Sequence, residues 1–278
     1  MRWLPGIAFA LFGVVNGAFA GPSRVVSMNL CTDQLAMLLA APGQLASVSY
    51  IARDTRASAM ADQAVAYPIN HGKAEEIYLL KPDLVLAGAY STRATTDMLQ
   101  RLGVPVVVFQ PADSLEDVRD RILQMGEALG REDAARDLLA DYDAQLAALR
   151  IADGPRPRSA LYAANSYTSG PQSLAGQILE AAGLDNIAVD LGYARSGRMP
   201  LEVLAMAAPD LLVGTTAYPR ASRSEDNLAH PVVQQLAARS GAGQMRDADW
   251  VCGTPHVLRA VQNLVEERRR FIEREGRE

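Results

Sequence analysis

The chain contains one helix-to-strand motif twice, and this repeat limits its fold more than any other feature. Residues 75–88 read EEIYLLKPDLVLAG and residues 201–215 read LEVLAMAAPDLLVGT. Pro82 and Pro209 of these segments lie 127 positions apart (209 − 82). An interval of over a hundred residues indicates two similar lobes, because the units of a solenoid are only about 20–50 residues long.

The Pro-Asp pair in each copy is common at the junction between a helix and a strand. Proline disfavours the helical conformation at the residue before it, so a helix commonly ends there. That rule does not account for Glu75 and Glu202, which are also 127 positions apart (202 − 75). The matched glutamates therefore indicate more than a shared junction.

Short apolar runs alternate with helical patterns in both halves of the chain, as expected for parallel sheets covered by helices on both faces. The predicted strands are 24–28, 45–49, 84–87, 104–109, 159–164, 187–189 and 211–213. The predicted helices are 32–40, 94–102, 173–182, 201–207, 232–239 and 255–273. Thr32 or Asp33 is the expected N-cap of the first helix. The fold class is therefore α/β, with two Rossmann-like lobes.

Residues 114–150 have no strand pattern and carry apolar side chains at helical spacing. Ser114 and Asp117 form a start that resembles a capping box, and Gly130 breaks or bends the run. We expect an N-terminal lobe at 21–113, a helical bridge at 114–152 and a C-terminal lobe at 153–278. The ligand cleft of such a protein lies between its lobes, at the carboxyl ends of the strands.

Residues 1–20 have the pattern of a secretory signal peptide: a short positive start, an apolar run, and Ala18-Phe19-Ala20 before the cut. We therefore expect an exported protein. In an oxidising compartment Cys31 and Cys252 are free to form a disulfide, although buried free thiols fit the sequence equally well. The net charge of −5 argues against a nucleic-acid partner.

Sequence motifs of catalysis are not found in the chain. It has no G-x-S-x-G elbow, P-loop, H-E-x-x-H or G-x-G-x-x-G after a strand. We expect a binding protein that is not an enzyme and has no resident cofactor.

Five segments, in this order and spacing, resemble the periplasmic substrate-binding proteins of ABC importers for ferric siderophores, haem and cobalamin. They are RVVSMNLCTDQLAMLLA at 24–40, AEEIYLLKPDLVLAG at 74–88, LGVPVVVF at 102–109, SLAGQILEAAGL at 173–184 and PLEVLAMAAPDLLVG at 200–214. The resemblance implies two rigid lobes joined by a long bridging helix, a chelate in the cleft, a periplasmic location and a two-fold ABC permease as partner. We expect a monomer.

The resemblance also implies a role for the matched glutamates. In that family one surface glutamate of each lobe docks onto arginines of the permease, and Glu75 and Glu202 occupy the matching positions. The alternative is that each is a first-turn glutamate favoured by the helix dipole, worth about 0.3–1 kcal/mol.

Aromatic and basic residues in loops after predicted strands are the candidate ligand contacts, because aromatic rings bury large flat ligands and arginines pair with carboxylates. They are Tyr50, Tyr90, Tyr167, Tyr193, Arg195 and Trp250. Asp249-Trp250 lies where vitamin B12-binding members carry an Asp-Trp pair, but the residues that follow diverge.

Metal coordination of the chelate is a further expectation. A bare-metal site is not expected, whereas His71 or His256 could be an axial ligand to haem iron or cobalt. Tyr90 or Tyr167 could instead provide a phenolate, and an ordinary surface role remains open for each of these residues. We rank a ferric siderophore first, cobalamin second and haem third, with a metal or haem carrier that uses no permease as the alternative.

Overall fold

The computed structural model describes residues 21–215, 223–240 and 242–276, and the structural statements below concern these residues. The predicted signal peptide at 1–20 lies outside them. Within the described part of the chain, no helix has the length and the apolar character needed to cross a membrane.

The N-terminal lobe is built on a five-stranded parallel sheet with the strand order β3-β2-β1-β4-β5. The strands are β1 (Val25–Ser27), β2 (Leu45–Ser49), β3 (Ile69–Asn70), β4 (Leu84–Gly88) and β5 (Val106–Phe109). The helices of this lobe are α1 (Leu30–Leu39), α2 (Ala61–Ala64), α3 (Ala74–Leu79) and α4 (Arg93–Arg101). The continuous apolar runs at β1 and β4 are buried, as expected for strands with helices on both faces.

The C-terminal lobe also has a parallel sheet, of four strands, and it has a separate two-stranded ribbon in addition. Its sheet has the order β11-β10-β6-β8, and β7 pairs with β9 in a separate antiparallel ribbon. The strands are β6 (Arg158–Leu161), β7 (Tyr167–Ser169), β8 (Asp185–Asn186), β9 (Ser196–Arg198), β10 (Leu211–Thr215) and β11 (Ala242–Met245). The helices are α7 (Leu174–Ala181), α8 (Leu201–Ala207), α9 (Pro231–Ser240), α10 (Asp247–Trp250) and α11 (Val257–Glu275). The prediction of two α/β lobes with parallel sheets is confirmed.

The predicted helical bridge consists of two successive helices, α5 (Leu115–Leu129) and α6 (Glu132–Leu149). Ser114 caps α5 by accepting a hydrogen bond of 3.0 Å from the Asp117 N–H, as the sequence predicted. Gly130 ends α5 in the left-handed conformation, with φ at +65°. The two helices pack against each other, α5 also against α1, and α6 also against α11.

The Pro-Asp pair makes the same contacts in both lobes. The Asp83 carboxylate accepts a hydrogen bond of 2.9 Å from the Arg24 N–H, and the Asp210 carboxylate accepts one of 2.8 Å from the Arg158 N–H. The side chains of these arginines hold the helix of the motif as well. The Arg24 side chain donates to a carbonyl at the end of α3, and the Arg158 side chain donates to one at the end of α8. The repeat therefore fixes each helix-to-strand junction to a neighbouring strand.

The residue before each proline adopts the same backbone conformation. Lys81 has φ at +50° and Ala208 has φ at +42°, so both lie in the left-handed region. That region is costly for a residue with a side chain. Its occurrence at equivalent positions shows that the two junctions are built alike.

Two local predictions were wrong. The N-cap of α1 is Asn29, whose side chain accepts from the Cys31 N–H at 3.0 Å, because β1 ends at Ser27 and the helix begins earlier than expected. Thr32 and Asp33 therefore lie buried within the helix. The strand predicted at 187–189 is instead β8 at Asp185–Asn186, followed by a turn.

A continuous apolar core joins the two lobes through the helical bridge. It contains Leu35 of the N-terminal lobe, Ile122 and Tyr142 of the bridge, and Leu161 and Leu264 of the C-terminal lobe. Because residues of both sheets and of the bridge belong to this one core, it fixes the two lobes to each other.

Candidate ligand-binding cleft

A cavity of about 310 Å³ lies between the lobes and is here called the cleft cavity. Asn29, Tyr90 and Ala112, which follow β1, β4 and β5, line it from the N-terminal lobe. Val251 and Cys252 line it from the C-terminal lobe. The carboxyl ends of parallel strands are where ligands bind in α/β folds, and the volume lies within the range of small-molecule sites.

Cys31 and Cys252 form a disulfide in the wall of the cleft cavity. Their Cα atoms are 4.8 Å apart although 221 positions separate them in the chain. Cys31 lies in the first turn of α1 and Cys252 follows α10, so the bond links the lobes across the cleft. The sequence permitted this pairing but could not choose it, because only the fold brings the two loops together.

Two polar contacts reach the C-terminal lobe, one from the bridge and one from the end of the N-terminal lobe. The Leu115 N–H donates to the Gln177 side-chain oxygen at 2.8 Å. Arg195, a predicted ligand residue, lies 3.7 Å from the Asp113 carboxylate, and both side chains are mostly exposed. This ion pair is weak because water screens it, and Arg195 does not line the cleft cavity.

A second cavity of about 280 Å³, the rim cavity, adjoins the cleft cavity. Ser49, Tyr50 and His71 line it, and Asn29 and Tyr90 line both cavities. Tyr90 is 89% exposed, and its hydroxyl forms no hydrogen bond to any described residue. The structure thus brings three predicted residues, Tyr50, Tyr90 and His71, to one side of the cleft.

Tyr50 and His71 form a flat surface at the rim cavity. Their ring centroids are 5.3 Å apart and the planes differ by 20°. The His71 ring lies 3.2 Å from the Glu76 carboxylate, which also accepts from the His71 backbone N–H at 2.8 Å. Partial burial opposes ionisation of Glu76, but these hydrogen bonds prevail and hold its pKa below the ordinary value.

Arg121 of α5 is a cleft residue that the sequence analysis missed. It lines the cleft cavity, and its Nε is buried without a hydrogen-bond partner among the described residues. The spacing in the sequence could have indicated it. Arg121 is three residues after Val118 and four before Met125, and both of these are buried. Those spacings place a cation on the apolar face of a helix.

The aromatic residues predicted from the C-terminal lobe line neither cavity. The Tyr193 hydroxyl donates to the Arg198 carbonyl at 2.9 Å, and its ring packs against the second core of that lobe. The Arg198 guanidinium lies over the Tyr167 ring, 5.6 Å from its centroid. These contacts brace the ribbon of β7 and β9, and Tyr167 remains partly exposed.

Trp250 and His256 also lie away from both cavities. Trp250 packs against the main core, and its indole nitrogen is buried without a hydrogen-bond partner among the described residues. The His256 Nε2 is in the same situation. Burial, with the nearby Arg259 charge, lowers the pKa of His256 to about 4. His256 is therefore neutral at physiological pH and shielded from a ligand in the cleft.

Asp33 is a fully buried carboxyl beneath the rim cavity. Its carboxyl accepts a short hydrogen bond from the Ser49 hydroxyl and another of 3.1 Å from the Ser49 N–H. Burial raises the pKa of Asp33 to about 6, although the hydrogen bonds from Ser27 and Ser49 oppose that rise. Asp33 connects α1 to β2 and so fixes the position of Ser49 at the cavity.

The matched glutamates occupy equivalent positions. Glu75 is the second residue of α3, and Glu202 is the second residue of α8. Both are exposed, and neither carboxylate has an ion pair or hydrogen bond to a described residue. Among the described residues, no group of three or more His, Cys, Asp or Glu side chains is placed to hold a metal ion.

Comparison with known proteins shows the family of the chain. Residues 25–242 match the periplasmic binding protein family. A cobalamin-binding protein of Halobacterium salinarum is 26% identical over 252 residues, which cover 88% of this chain and 67% of the relative. A ferric enterobactin-binding periplasmic protein of Escherichia coli is 28% identical over 210 residues, covering 70% of this chain and 59% of the relative.

A solved structure shows the same fold. The periplasmic heme-binding protein of Roseiflexus sp. RS-1, in its apo form, aligns with a TM-score of 0.69 and 20% identity. The alignment covers 89% of this chain and 98% of that protein. The relatives thus differ in the ligand their names give while the architecture is shared.

Proposed function

This chain belongs to the periplasmic binding protein family, and on that basis we propose that it captures a ferric siderophore and delivers it to an ABC importer. Members of the family bind small chelates and work with importer permeases. In this proposal the ligand cleft lies between an N-terminal lobe at 21–113 and a C-terminal lobe at 153–278. The bridge at 114–152 connects them. Export by a signal peptide at 1–20 is part of the proposal.

The observation that carries the proposal is a ligand-sized cavity between the lobes. The cleft cavity and the rim cavity meet at Tyr90, so together they accept a bulky ligand that one of them could not hold. Tyr50 and His71 offer a flat surface at the rim cavity. Such a surface suits a large ligand with planar groups.

A ligand panel tests this proposal. Purified protein is mixed with ferric siderophores, cyanocobalamin and hemin, and the melting temperature and absorbance are followed. A ligand at 100 times its dissociation constant stabilises the folded state by about 2.7 kcal/mol. A shift with siderophores alone supports the first choice, whereas a shift with cobalamin or hemin alone replaces it. No shift with any chelate contradicts the proposal.

Haem is the second candidate because of Tyr90. Its phenol is exposed at the junction of the two cavities and has no hydrogen-bond partner among the described residues. A phenolate is an established axial ligand of haem iron. If haem is the cargo, Tyr90→Phe should abolish the absorbance band of iron-phenolate coordination, while Tyr167→Phe should leave it unchanged.

We also propose that Glu75 and Glu202 dock the protein onto the permease. Two exposed carboxylates at equivalent points of a stiff two-lobed body suit a two-fold partner with complementary charge. Neither carboxylate is used within the described part of the chain, so both are available to a partner. A carrier that works without a permease would need no such pair.

Charge reversal tests the docking surface. The Glu75→Arg, Glu202→Arg double variant should bind the chelate with unchanged affinity but fail to stimulate ATP hydrolysis by the permease in vesicles. Glu127→Arg is the control for charge reversal elsewhere, because Glu127 is an exposed glutamate of α5 that lines neither cavity. Full stimulation by the double variant would contradict docking and favour a carrier without a permease.

A further inference from the structure

The cleft cavity is mostly apolar and contains one charged group among its described lining residues. Leu35, Phe109, Pro111 and Val251 contribute much of its wall, and the Cys31–Cys252 disulfide adds two sulfur atoms. Of the described residues that line this cavity, Arg121 alone carries a formal charge. No carboxylate of the lining is therefore available to neutralise it.

Arg121 differs from the arginine two positions before it on the same helix. The Arg119 guanidinium lies 3.4 Å from the Glu116 carboxylate and forms a shorter contact with the Asp143 carboxylate. Arg121 has no such ion pair among the described residues, and its Nε is buried without a partner. A buried donor on a cation costs free energy unless an acceptor reaches it.

The first turn of α1 adds to the positive potential of the same cavity. Asn29, Cys31 and Thr32 line it at the N-terminal end of a ten-residue helix. The positive end of the helix dipole favours an anion there, and the buried Asp33 carboxyl of the same turn, which is bonded to Ser49, offsets part of that potential. Both features would be satisfied by one negatively charged group in the cleft cavity.

We propose that the cargo carries an anionic group, a carboxylate or a catecholate, that pairs with Arg121 in the cleft cavity. This inference rests on the proposed function and narrows it. Anionic ferric chelates such as tricatecholates and the dicarboxylate hemin fit the site, whereas neutral trihydroxamates and cobalamin leave Arg121 unpaired. A planar guanidinium suits both anions because it donates two parallel hydrogen bonds.

Matched ligand pairs test the inference in the purified protein. Hemin is compared with hemin dimethyl ester, and a ferric tricatecholate with a ferric trihydroxamate. Each is titrated into wild-type protein and into the Arg121→Met, Arg121→Lys and Arg101→Met variants. Arg101 is an exposed residue of α4 that lines neither cavity, so Arg101→Met controls for the loss of one positive charge.

The wild type should bind the anionic member of at least one pair about 10- to 100-fold more tightly, the factor expected for hydrogen bonds to a charged group. Arg121→Met should lose that preference while its affinity for the neutral member changes less than about twofold. Arg121→Lys should retain part of the preference. Without ligand, Arg121→Met should melt no lower than the wild type, because the variant removes an unpaired buried donor.

Three results would overturn the inference. Equal wild-type affinity for both members of every pair excludes an anion contact, and this comparison needs no variant. Equal losses for both members in Arg121→Met indicate a structural role. If Arg121→Met still prefers the anionic ligand as strongly as the wild type does, a residue other than Arg121 binds the anionic group. If no chelate of either kind binds, the proposed function itself fails, and the inference fails with it.

Discussion

The two lobes share a frame but differ in how much of the cleft they form. Each lobe has a parallel sheet in which the Pro-Asp pair binds the start of a neighbouring strand, and equivalent strands follow the same order, β2-β1-β4-β5 and β8-β6-β10-β11. The N-terminal lobe and the bridge supply most of the lining of both cavities, whereas the C-terminal lobe supplies Val251 and Cys252. A repeated frame therefore does not imply a repeated binding surface.

The difference arises after the strands rather than within them. In the N-terminal lobe the loops after β1, β4 and β5 lead directly to the cavities. In the C-terminal lobe the chain after β6 forms β7, and its pairing with β9 places Tyr167 in the ribbon, against which Tyr193 packs. The C-terminal lobe thus uses Tyr193 and Trp250 for internal packing. It reaches the cleft cavity through Val251 and the disulfide-bonded Cys252.

The largest expected effect on stability comes from breaking the disulfide that links the lobes. Reducing the disulfide, or changing Cys31 and Cys252 to Ser, should lower the free energy of unfolding by about 4–5 kcal/mol, since the bond closes a very long loop. Urea denaturation with and without a thiol reductant measures this. The double serine variant serves as the control, because reductant should not affect it. A loss below about 1 kcal/mol would show that the core alone holds the lobes together.

The pH dependence of stability should contain opposite contributions from the two lobes. The pKa of Asp33 is raised from 3.8 to about 6, so the folded state binds its proton more tightly and stability falls as pH rises from about 4 to 6. The pKa of His256 is lowered from 6.5 to about 4, so its contribution is present above pH 6.5 and is lost as pH falls toward 4. In the wild type these two trends should largely cancel.

Single variants separate the two contributions. In Asp33→Asn only the His256 contribution remains, so the free energy of unfolding should rise by about 2–3 kcal/mol between pH 4 and 6.5. In His256→Gln only the Asp33 contribution remains, so the free energy of unfolding should fall by about 2–3 kcal/mol between pH 4 and 6. Denaturant unfolding at half-unit pH steps provides the measurement. Parallel curves for the wild type and both variants would show that neither group titrates differently in the folded state.

The two Pro-Asp pairs should differ in strength. Asp83 accepts from the N–H groups of Ser23 and Arg24 and from the Ser23 hydroxyl, whereas Asp210 accepts from the Arg158 N–H. We expect Asp83→Ala to cost about 1–2 kcal/mol and Asp210→Ala about 0.5–1 kcal/mol. Thermal unfolding of the two variants compares them. A larger loss for Asp210→Ala would mean that the junction of the C-terminal lobe depends on contacts other than this hydrogen bond.

The smallest expected loss of stability comes from neutralising the matched glutamates, and it should be equal in the two lobes. Glu75→Gln and Glu202→Gln each remove a charge near a helix N-terminus, which is worth about 0.3–1 kcal/mol. Equal small losses, together with failed permease stimulation in the charge-reversed protein, would separate docking from helix stabilisation. A larger loss in one lobe would show that this glutamate has a structural partner in solution.

Local patterns in the sequence predicted much of the frame. The buried strand at β4, the Ser114 cap and the break at Gly130 follow from side-chain and backbone preferences that act over a few residues. Short strands such as β3 and β8 were missed or misplaced, because two residues carry too little pattern to be recognised. Pairing with a neighbouring strand, rather than local preference, makes them strands.

The candidate site was predicted only in part. Tyr50 and Tyr90 follow predicted strands of the N-terminal lobe and line the rim cavity, where His71, considered only as an axial ligand, lies beside them. Tyr193 and Trp250 also follow strands but pack inward, because contacts from distant parts of the lobe cover them. Arg121 was missed because the sequence analysis treated the bridge as a connector.

The sequence by itself determined the two-lobed α/β frame, the family and the matched glutamates, since these depend on periodicity and on an interval that can be counted. Only the tertiary structure decided that Cys31 pairs with Cys252 and that Arg121 is the charged group among the described residues of a mostly apolar cavity. Those facts depend on which distant segments face each other across the cleft. Packing of the whole chain sets that arrangement, and neighbouring residues do not encode it.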